Sequence, residues 1–264
     1  KGFFGDNIEL AKIDDLNSSD AIVVWAEDLK EKLPVLYLRI RQAVKNGVKL
    51  VVFGHTNETL SDIADVFYGK DMVSENFEIL KDLSKMKEIN NLVVGKNITA
   101  ILGKSTPYQS DESVTKLFEF LNSNANSKVL NAYSKGNTYG AFQTLENLKG
   151  LNDFVNDISK DNTDLLFIVG ADPIGRSVYS NQIKSIIKSI DTVVTLDNFN
   201  HETSELSDYV VPISSTLGEK EGTFTNIEFR TSRIEKLVPS PGQTVSDWEF
   251  ITSLMNFAGL KAET

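Results

Sequence analysis

The chain has 264 residues, of which 41% are hydrophobic and 24% are charged, a composition typical of globular proteins with one large or two ordinary domains. The net charge of -10 disfavours a nucleic-acid surface, which needs clustered lysine and arginine. The chain has no cysteine, which excludes disulfides, thiol nucleophiles and cysteine-ligated iron–sulfur clusters within this stretch, and no apolar run approaches the roughly 20 residues of a membrane-spanning helix.

The first part of the sequence predicts a strand–helix–strand unit. Ala21–Trp25 and Leu50–Phe53 are short apolar runs that predict parallel strands. The helix between them begins near Pro34 and carries apolar residues at helical spacing, namely Leu33, Leu36, Tyr37, Ile40 and Val44. This order of elements is a βαβ unit.

The middle of the chain predicts further alternation of helices and strands. Thr59–Val66, Phe77–Ile89 and Asp111–Leu121 are predicted helices, and Thr99–Leu102 is a predicted strand. Asn122–Lys128 is polar and rich in small residues, which indicates a linker. We therefore predict a domain boundary near residue 125, with half-domains spanning residues 1–125 and 126–264.

A second βαβ unit follows the predicted linker. Leu165–Val169 predicts a buried strand, which is followed by a Gly-Ala-Asp-Pro turn, and Thr192–Leu196 predicts the next strand. The helix between the strands is indicated by Ile183, Ile186, Ile187 and Ile190. The same order in both halves favours an internal duplication, although βαβ units in general look alike. The fold class is α/β, with two Rossmann-like, doubly wound half-domains.

The remaining elements are shorter. His201–Leu206 predicts a short helix, and polarity at its start explains His201 beside Glu202 better than an active site does. Asp208–Pro212 and Thr223–Phe229 predict strands, and Val245–Phe257 predicts a closing helix. Its residues expected to face inward are Trp248, Ile251, Leu254 and Met255.

The strand ends of the second unit indicate a ligand site. Ligands of open parallel sheets bind at the carboxyl ends of the strands, where Gly170–Pro173 and Asp197 are expected to lie. The geometry suits a nucleotide-like ligand. No Gly-x-Gly-x-x-Gly pattern occurs, so an ordinary NAD-binding fingerprint is absent.

Three segments resemble a known family. Leu196–Asn226 is similar to a pattern of the molybdopterin oxidoreductase superfamily, in which a strand, a Thr-Glu helix and an "ADVVLP"-like strand precede a glutamate–glycine–threonine–asparagine turn. Pro34–Arg41 and Asn131–Phe142 resemble, within that superfamily, the C-terminal part of the G subunit of NADH-quinone oxidoreductase, respiratory complex I.

The resemblance implies the position of a cofactor site. Catalytic relatives hold a pterin guanine dinucleotide between the two half-domains. The positions that the resemblance carries over are Gly170, Asp172, Pro173, Asp197, Glu221, Gly222, Thr223 and Asn226. The first half departs from the family's Gly-x-Asn-Pro and has Trp25, Ala26, Glu27 and Asp28 instead, so that an indole replaces glycine and two carboxylates repel phosphate. Asp172 likewise stands where asparagine is usual. We therefore expect a vestigial site with no cofactor, no catalytic residue and no metal.

The resemblance also implies a functional role. We expect a structural portion of the complex I G subunit that supports NADH-to-quinone electron transfer in an oxidoreductase without catalysing a step itself. Its partners would be other peripheral-arm subunits, with no nucleic acid and no membrane insertion, on the cytoplasmic side of the bacterial inner membrane. Iron–sulfur clusters would belong to a missing N-terminal portion and to neighbouring subunits. The alternative is a fragment of an active, formate dehydrogenase-like enzyme that binds a pterin guanine dinucleotide.

Overall fold

A computed structural model describes residues 9–26, 28–56, 58–70, 83–103, 126–145, 163–215 and 218–261. The chain forms two compact units, the first comprising Lys1–Ala141 with Thr225–Thr231 and the second comprising Phe142–Phe224 with Ser232–Thr264. The helix predicted at Asp111–Leu121 lies outside the described residues.

The first unit contains a parallel six-stranded sheet in the order β1-β6-β5-β2-β3-β4. Its strands are β1 (Glu9–Leu10), β2 (Ala21–Trp25), β3 (Lys49–His55), β4 (Val66–Lys70), β5 (Asn97–Gly103) and β6 (Asn126–Ala132). All seven residues of β6 pair with β5, so the segment after the predicted boundary lies in the first sheet. The boundary near residue 125 stays a prediction, and the part of the predicted linker that is described is strand.

Helices cover both faces of this sheet. They are α1 (Asp15–Ser18), α2 (Leu29–Lys32) and α3 (Pro34–Lys45) on one face and α4 (Leu83–Val93) on the other. Helix α5 (Thr138–Thr144) follows β6 in the chain. The central strand β2 is buried along its whole length, and side chains on its two faces belong to two separate apolar clusters. The helix predicted at Thr59–Val66 is wrong: Ser61–Ile63 forms one 3₁₀ turn, and Val66 begins β4.

The second unit contains a parallel sheet in the order β7-β8-β9. Its elements are β7 (Leu165–Val169), α6 (Pro173–Arg176), α7 (Ser180–Ile187), β8 (Thr192–Asp197), α8 (Glu202–Glu205), β9 (Tyr209–Pro212) and α9 (Asp247–Phe257). Ile183, Ile187 and Ile190 pack into its core, as their helical spacing predicted. The buried strand predicted at Leu165–Val169 is buried on one face only, because its burial alternates and Leu165 is 50% exposed.

Two further predictions near the C-terminus are corrected. The strand predicted at Thr223–Phe229 ends early, because β10 (Gly222–Thr225) stops at Thr225 and the next strand, β11 (Thr231–Ile234), begins beyond the predicted range. The chain turns between them because Oδ1 of Asn226 accepts the backbone N–H groups of Glu228 and Arg230, at 2.9 and 3.0 Å. Helix α9 exposes Trp248, Ile251 and Leu254 rather than burying them.

A hydrogen-bond motif repeats in the two units. In the first, the Asp65 carboxylate accepts the N–H of Leu50 at 2.9 Å while the Asp65 N–H donates to the Leu50 carbonyl at 2.9 Å. In the second, Asp208 and Val193 make the same two bonds at 2.8 and 2.9 Å. In both units these bonds join the start of one strand to the start of its parallel neighbour. The repetition of the motif supports the predicted duplication. The predicted α/β class with parallel sheets is confirmed.

Candidate functional site

The carboxyl ends of β7 and β8 bring together four of the predicted site residues. Gly170 extends β7 by donating its N–H to the Leu196 carbonyl at 2.8 Å, and its φ of +60° is a conformation that glycine adopts readily. Asp172 and Pro173 begin helix α6, and Asp197 ends β8. This placement agrees with the rule that parallel sheets present ligand-facing loops at their carboxyl edge.

The Asp172 carboxylate is held by bonds within the second unit. Its Oδ1 accepts the N–H of Gly175 at 3.0 Å, which caps α6, and the hydroxyl of Thr203 at 2.6 Å. Thr203 is fully buried and also accepts the N–H of Ile174 at 3.3 Å. Burial acts to raise the pKa of Asp172, but these hydrogen bonds and the neighbouring His201 imidazole hold that pKa below its ordinary value.

His201 lies between the two aspartates. Its Nδ1 is 3.5 Å from Asp172 Oδ1, and its Nε2 is 3.3 Å from Asp197 Oδ2. Nδ1 also accepts the N–H of Ser204 at 3.3 Å, so His201 caps α8 as the helix-start interpretation proposed. An accepting Nδ1 places the proton of a neutral imidazole on Nε2, facing Asp197. Nε2 is buried and makes no hydrogen bond within the part of the chain that is described.

Asp197 retains acceptor capacity. Its Oδ1 accepts the N–H of Phe199 at 3.0 Å, its Oδ2 lies 3.3 Å from Nε2 of His201, and the residue is 9% exposed. The Phe199 ring beside it is 73% exposed. An acidic oxygen next to an exposed aromatic ring can accept a polar donor edge while the ring contacts a flat face of the same ligand.

The first unit builds a related edge with different side chains. Asp28 caps α2 by accepting the N–H of Lys30 at 2.9 Å and also lies 3.3 Å from the Thr59 hydroxyl, much as Asp172 binds Thr203. Glu58, which is 3% exposed, lies beside this pair. Burial and the nearby Asp28 carboxylate raise the pKa of Glu58, although hydrogen bonds from Leu60 and Thr59 oppose the shift.

Glu58 rests directly on the end of β3. A Cβ placed on Gly54 would lie 2.9 Å from Cγ of Glu58 and 3.3 Å from its Oε2. Oε2 is buried and, among the described residues, has no hydrogen-bond partner. Glycine at position 54 is therefore what allows the acidic side chain to fold onto the strand.

The indole predicted at the mouth of the first half lies elsewhere. Trp25 is 1% exposed and stacks on Phe53, with ring centroids 4.2 Å apart, inside one of the two apolar clusters of the sheet. It points into the core because it is the last residue of a strand whose side chains alternate between faces. Glu27 lies outside the described residues.

The other predicted site residues lie in the β10–β11 ribbon. Glu221 is near Arg233, with 3.3 Å between Oε2 and Nη2, and Gly222 and Thr223 begin β10 in the second unit. Asn226 forms the turn of the ribbon, and this turn belongs to the first unit. Within the described residues, no group of three or more acidic or histidine side chains could hold a metal ion.

Three residues of these edges were missed or undervalued in the sequence, namely Glu58, His201 and Thr203. If the two βαβ units are aligned so that Asp65 matches Asp208, Glu58 aligns with His201 and Gly54 aligns with Asp197. That alignment is the signal that could have found them.

Comparison with known proteins gives a family match. The model of the molybdopterin oxidoreductase family matches residues 4–257. The chain is 35% identical over 129 residues to the F420-dependent formate dehydrogenase 2 subunit alpha of Methanococcus maripaludis, covering 45% of this chain and 19% of that protein. It is 35% identical over 94 residues to the assimilatory nitrate reductase catalytic subunit of Bacillus subtilis, covering 36% of this chain and 13% of that protein. The chain thus spans less than a fifth of these curated relatives.

Solved structures share the fold. Acetylene hydratase from Pelobacter acetylenicus matches 96% of this chain and 48% of its own, with 14% identity and a TM-score of 0.55. The formyltransferase/hydrolase complex of Methylorubrum extorquens matches 97% of this chain and 79% of its own, with 12% identity and a TM-score of 0.64.

These comparisons test the predicted superfamily and the predicted subunit separately. The predicted superfamily is confirmed, whereas the assignment to a complex I G subunit is not shown by relatives that are formate dehydrogenases and a nitrate reductase. None of the helices described is both long and apolar enough to cross a membrane. With a family match over nearly its whole length, the chain belongs to the molybdopterin oxidoreductase family.

Proposed function

We propose that this chain is part of a formate dehydrogenase-like molybdopterin oxidoreductase and that its second unit binds the nucleotide end of a pterin guanine dinucleotide. The observation that carries the proposal is the position of Gly170 and Asp197 at the carboxyl ends of adjacent parallel strands, in a chain whose relatives include three F420-dependent formate dehydrogenase alpha subunits. Ligands of open parallel sheets generally bind at the carboxyl ends of the strands, which supports the proposal.

The residues of the second unit fit a nucleotide. A Cβ on Gly170 would meet no atom within 4 Å, so the chain leaves open space beside its backbone. Asp197 can accept amino or imino hydrogens through Oδ2, and the exposed ring of Phe199 offers a flat apolar contact. Asp172 would act indirectly, because its carboxylate accepts the hydroxyl of Thr203 and lies beside the imidazole of His201.

The bound cofactor and the residues of this chain would have different roles. When bound, the pterin group would supply a redox-active metal centre for electron transfer to or from the substrate. The residues of this chain would bind and orient the nucleotide end. His201 would lie beside Asp197, with 3.3 Å between Nε2 and Oδ2, and its ring would limit the directions in which that carboxylate can turn.

Calorimetric titration of the purified protein with GDP tests the proposal. We expect saturable binding that Asp197→Asn weakens about tenfold or more, because an ionised acceptor is replaced by a neutral amide. Asp191→Asn is a matched control in the same unit, since Asp191 is exposed at the opposite end of β8. Absence of GDP binding, or equal effects of the two substitutions, would contradict the proposal.

A structural role in the peripheral arm of complex I is the second candidate. The observation that favours it is the covered edge of the first unit, where Glu58 lies on Gly54. On this proposal the partners are peripheral-arm subunits at the cytoplasmic face of the inner membrane, and iron–sulfur clusters belong to other parts of the complex. Co-purification with such subunits, together with no GDP binding, is the result that this candidate requires.

A further inference from the structure

We infer that the first unit has no nucleotide edge of its own, because Glu58 fills the place at which the second unit presents Asp197, and that the chain binds one nucleotide through the second unit. The inference rests on the proposed function and adds to it the number and location of binding edges. It also identifies Gly54 and Glu58 as the residues that decide between an open and a closed edge.

The equivalence of the two positions follows from the repeated hydrogen-bond motif. Leu50 and Val193 are the strand residues that bind Asp65 and Asp208, respectively. Gly54 follows Leu50 by four residues and precedes Asp65 by eleven, and Asp197 has the same spacing from Val193 and Asp208. The strand registers agree, since Gly54 pairs with Gly69 in β4 as Asp197 pairs with Pro212 in β9.

The same alignment pairs Glu58 with His201. Both side chains fold back over the strand end, but they meet different residues there. His201 lies beside the carboxylate of Asp197, with 3.3 Å between Nε2 and Oδ2. Glu58 finds a glycine, and its Oε2 lies 3.3 Å from where a Cβ of residue 54 would stand. The carboxyl group is thus supplied from residue 58 in one unit and from residue 197 in the other.

Burial and charge explain why Glu58 occupies this edge of the first unit instead of binding a ligand there. The residue is 3% exposed, and both Gly54 and the neighbouring Ala26 are buried. The Asp28 carboxylate and burial together favour the protonated, neutral form of Glu58, which lowers the cost of keeping it inside. Opening the edge would expose two acidic groups beside each other, and these would repel the phosphates of a nucleotide.

In the second unit, the neighbour of the acidic residue at the strand end is a histidine, because His201 lies between Asp197 and Asp172. Gly170 stands at the position equivalent to Ala26, is exposed, and leaves the space around its missing Cβ unoccupied. Oδ1 of Asp197 accepts the N–H of Phe199, and Oδ2 lies 3.3 Å from Nε2 of His201. One edge is therefore self-occupied and the other can accept a ligand.

The test is the stoichiometry of GDP binding to the intact chain, measured by calorimetry for four proteins. We expect one site in the wild type, about tenfold or more weakening in Asp197→Asn, and no change in Glu58→Gln, which keeps the size of the side chain. The double variant Gly54→Asp with Glu58→His carries the second unit's pair of residues into the first unit. We expect it to gain a second site, with its fold checked by circular dichroism.

The outcomes distinguish the inference from the proposed function. Two sites in the wild type, or one site that Glu58→Gln weakens and Asp197→Asn leaves intact, would overturn the inference while leaving a nucleotide-binding function in place. A folded double variant that stays at one site would also overturn it, since Glu58 and Gly54 would then not decide closure. No binding by any of the four proteins would overturn both.

Discussion

Replacing Gly54 with alanine tests the contact that closes the first unit. The new methyl carbon would lie 2.9 Å from Cγ and 3.0 Å from Cβ of Glu58, which are atoms close to the backbone that cannot swing away. Overpacking of this kind costs about 1–3 kcal/mol. Without Glu58, the same substitution would stabilise the strand by about 0.5–1 kcal/mol, because alanine loses less backbone entropy than glycine.

The sign of the effect should therefore depend on residue 58. In a Glu58→Gly background, Gly54→Ala should become neutral to stabilising, which gives a coupling energy of about 1.5–4 kcal/mol in the double-mutant cycle. Urea unfolding followed by tryptophan fluorescence measures it. The chain has two tryptophans, Trp25 in the first unit and Trp248 in the second, so a Trp248→Phe background makes the emission report on the first unit alone.

The control is the single variant Glu58→Gly, whose own cost cancels in the cycle. If Gly54→Ala destabilises the first unit equally whether residue 58 is glutamate or glycine, the two side chains do not meet. The packing argument and the closed edge that depends on it would then both fail.

Three further predictions concern stability. Burial raises the pKa of Glu58, so the stability contributed by its protonated form is complete below the ordinary pKa of 4.5 and is lost as pH rises through the folded pKa. Glu58→Gln should therefore flatten the decline of the unfolding free energy above pH 4.5. The pKa of Asp65 is lowered by Lys49 and the Leu50 N–H despite burial, so Asp65→Ala should cost about 1–3 kcal/mol at neutral pH, and urea titrations should show this difference shrinking as pH falls below 3.8. Thr203→Val should destabilise the second unit by about 1–3 kcal/mol in Trp248-monitored unfolding, whereas Thr203→Ser, which keeps the hydroxyl that binds Asp172, should cost less.

The sequence by itself determined the fold class and most strands, because apolar runs and helical spacing are local signals. It placed Asp172 and Asp197 at the ends of adjacent strands, and its resemblance to the molybdopterin oxidoreductases identified the family. Polarity at the start of a helix was also enough to explain His201 as a cap.

Only the tertiary structure decided the contacts that give the two edges different chemistry. Asp172 meets Thr203 and His201 across about 30 residues of sequence, and that meeting depends on the parallel pairing of β7 with β8. Glu58 closes its edge because it packs on Gly54, which is a matter of distances in space that no local pattern records. Likewise, β6 pairs into the first sheet through backbone hydrogen bonds, which composition alone does not specify.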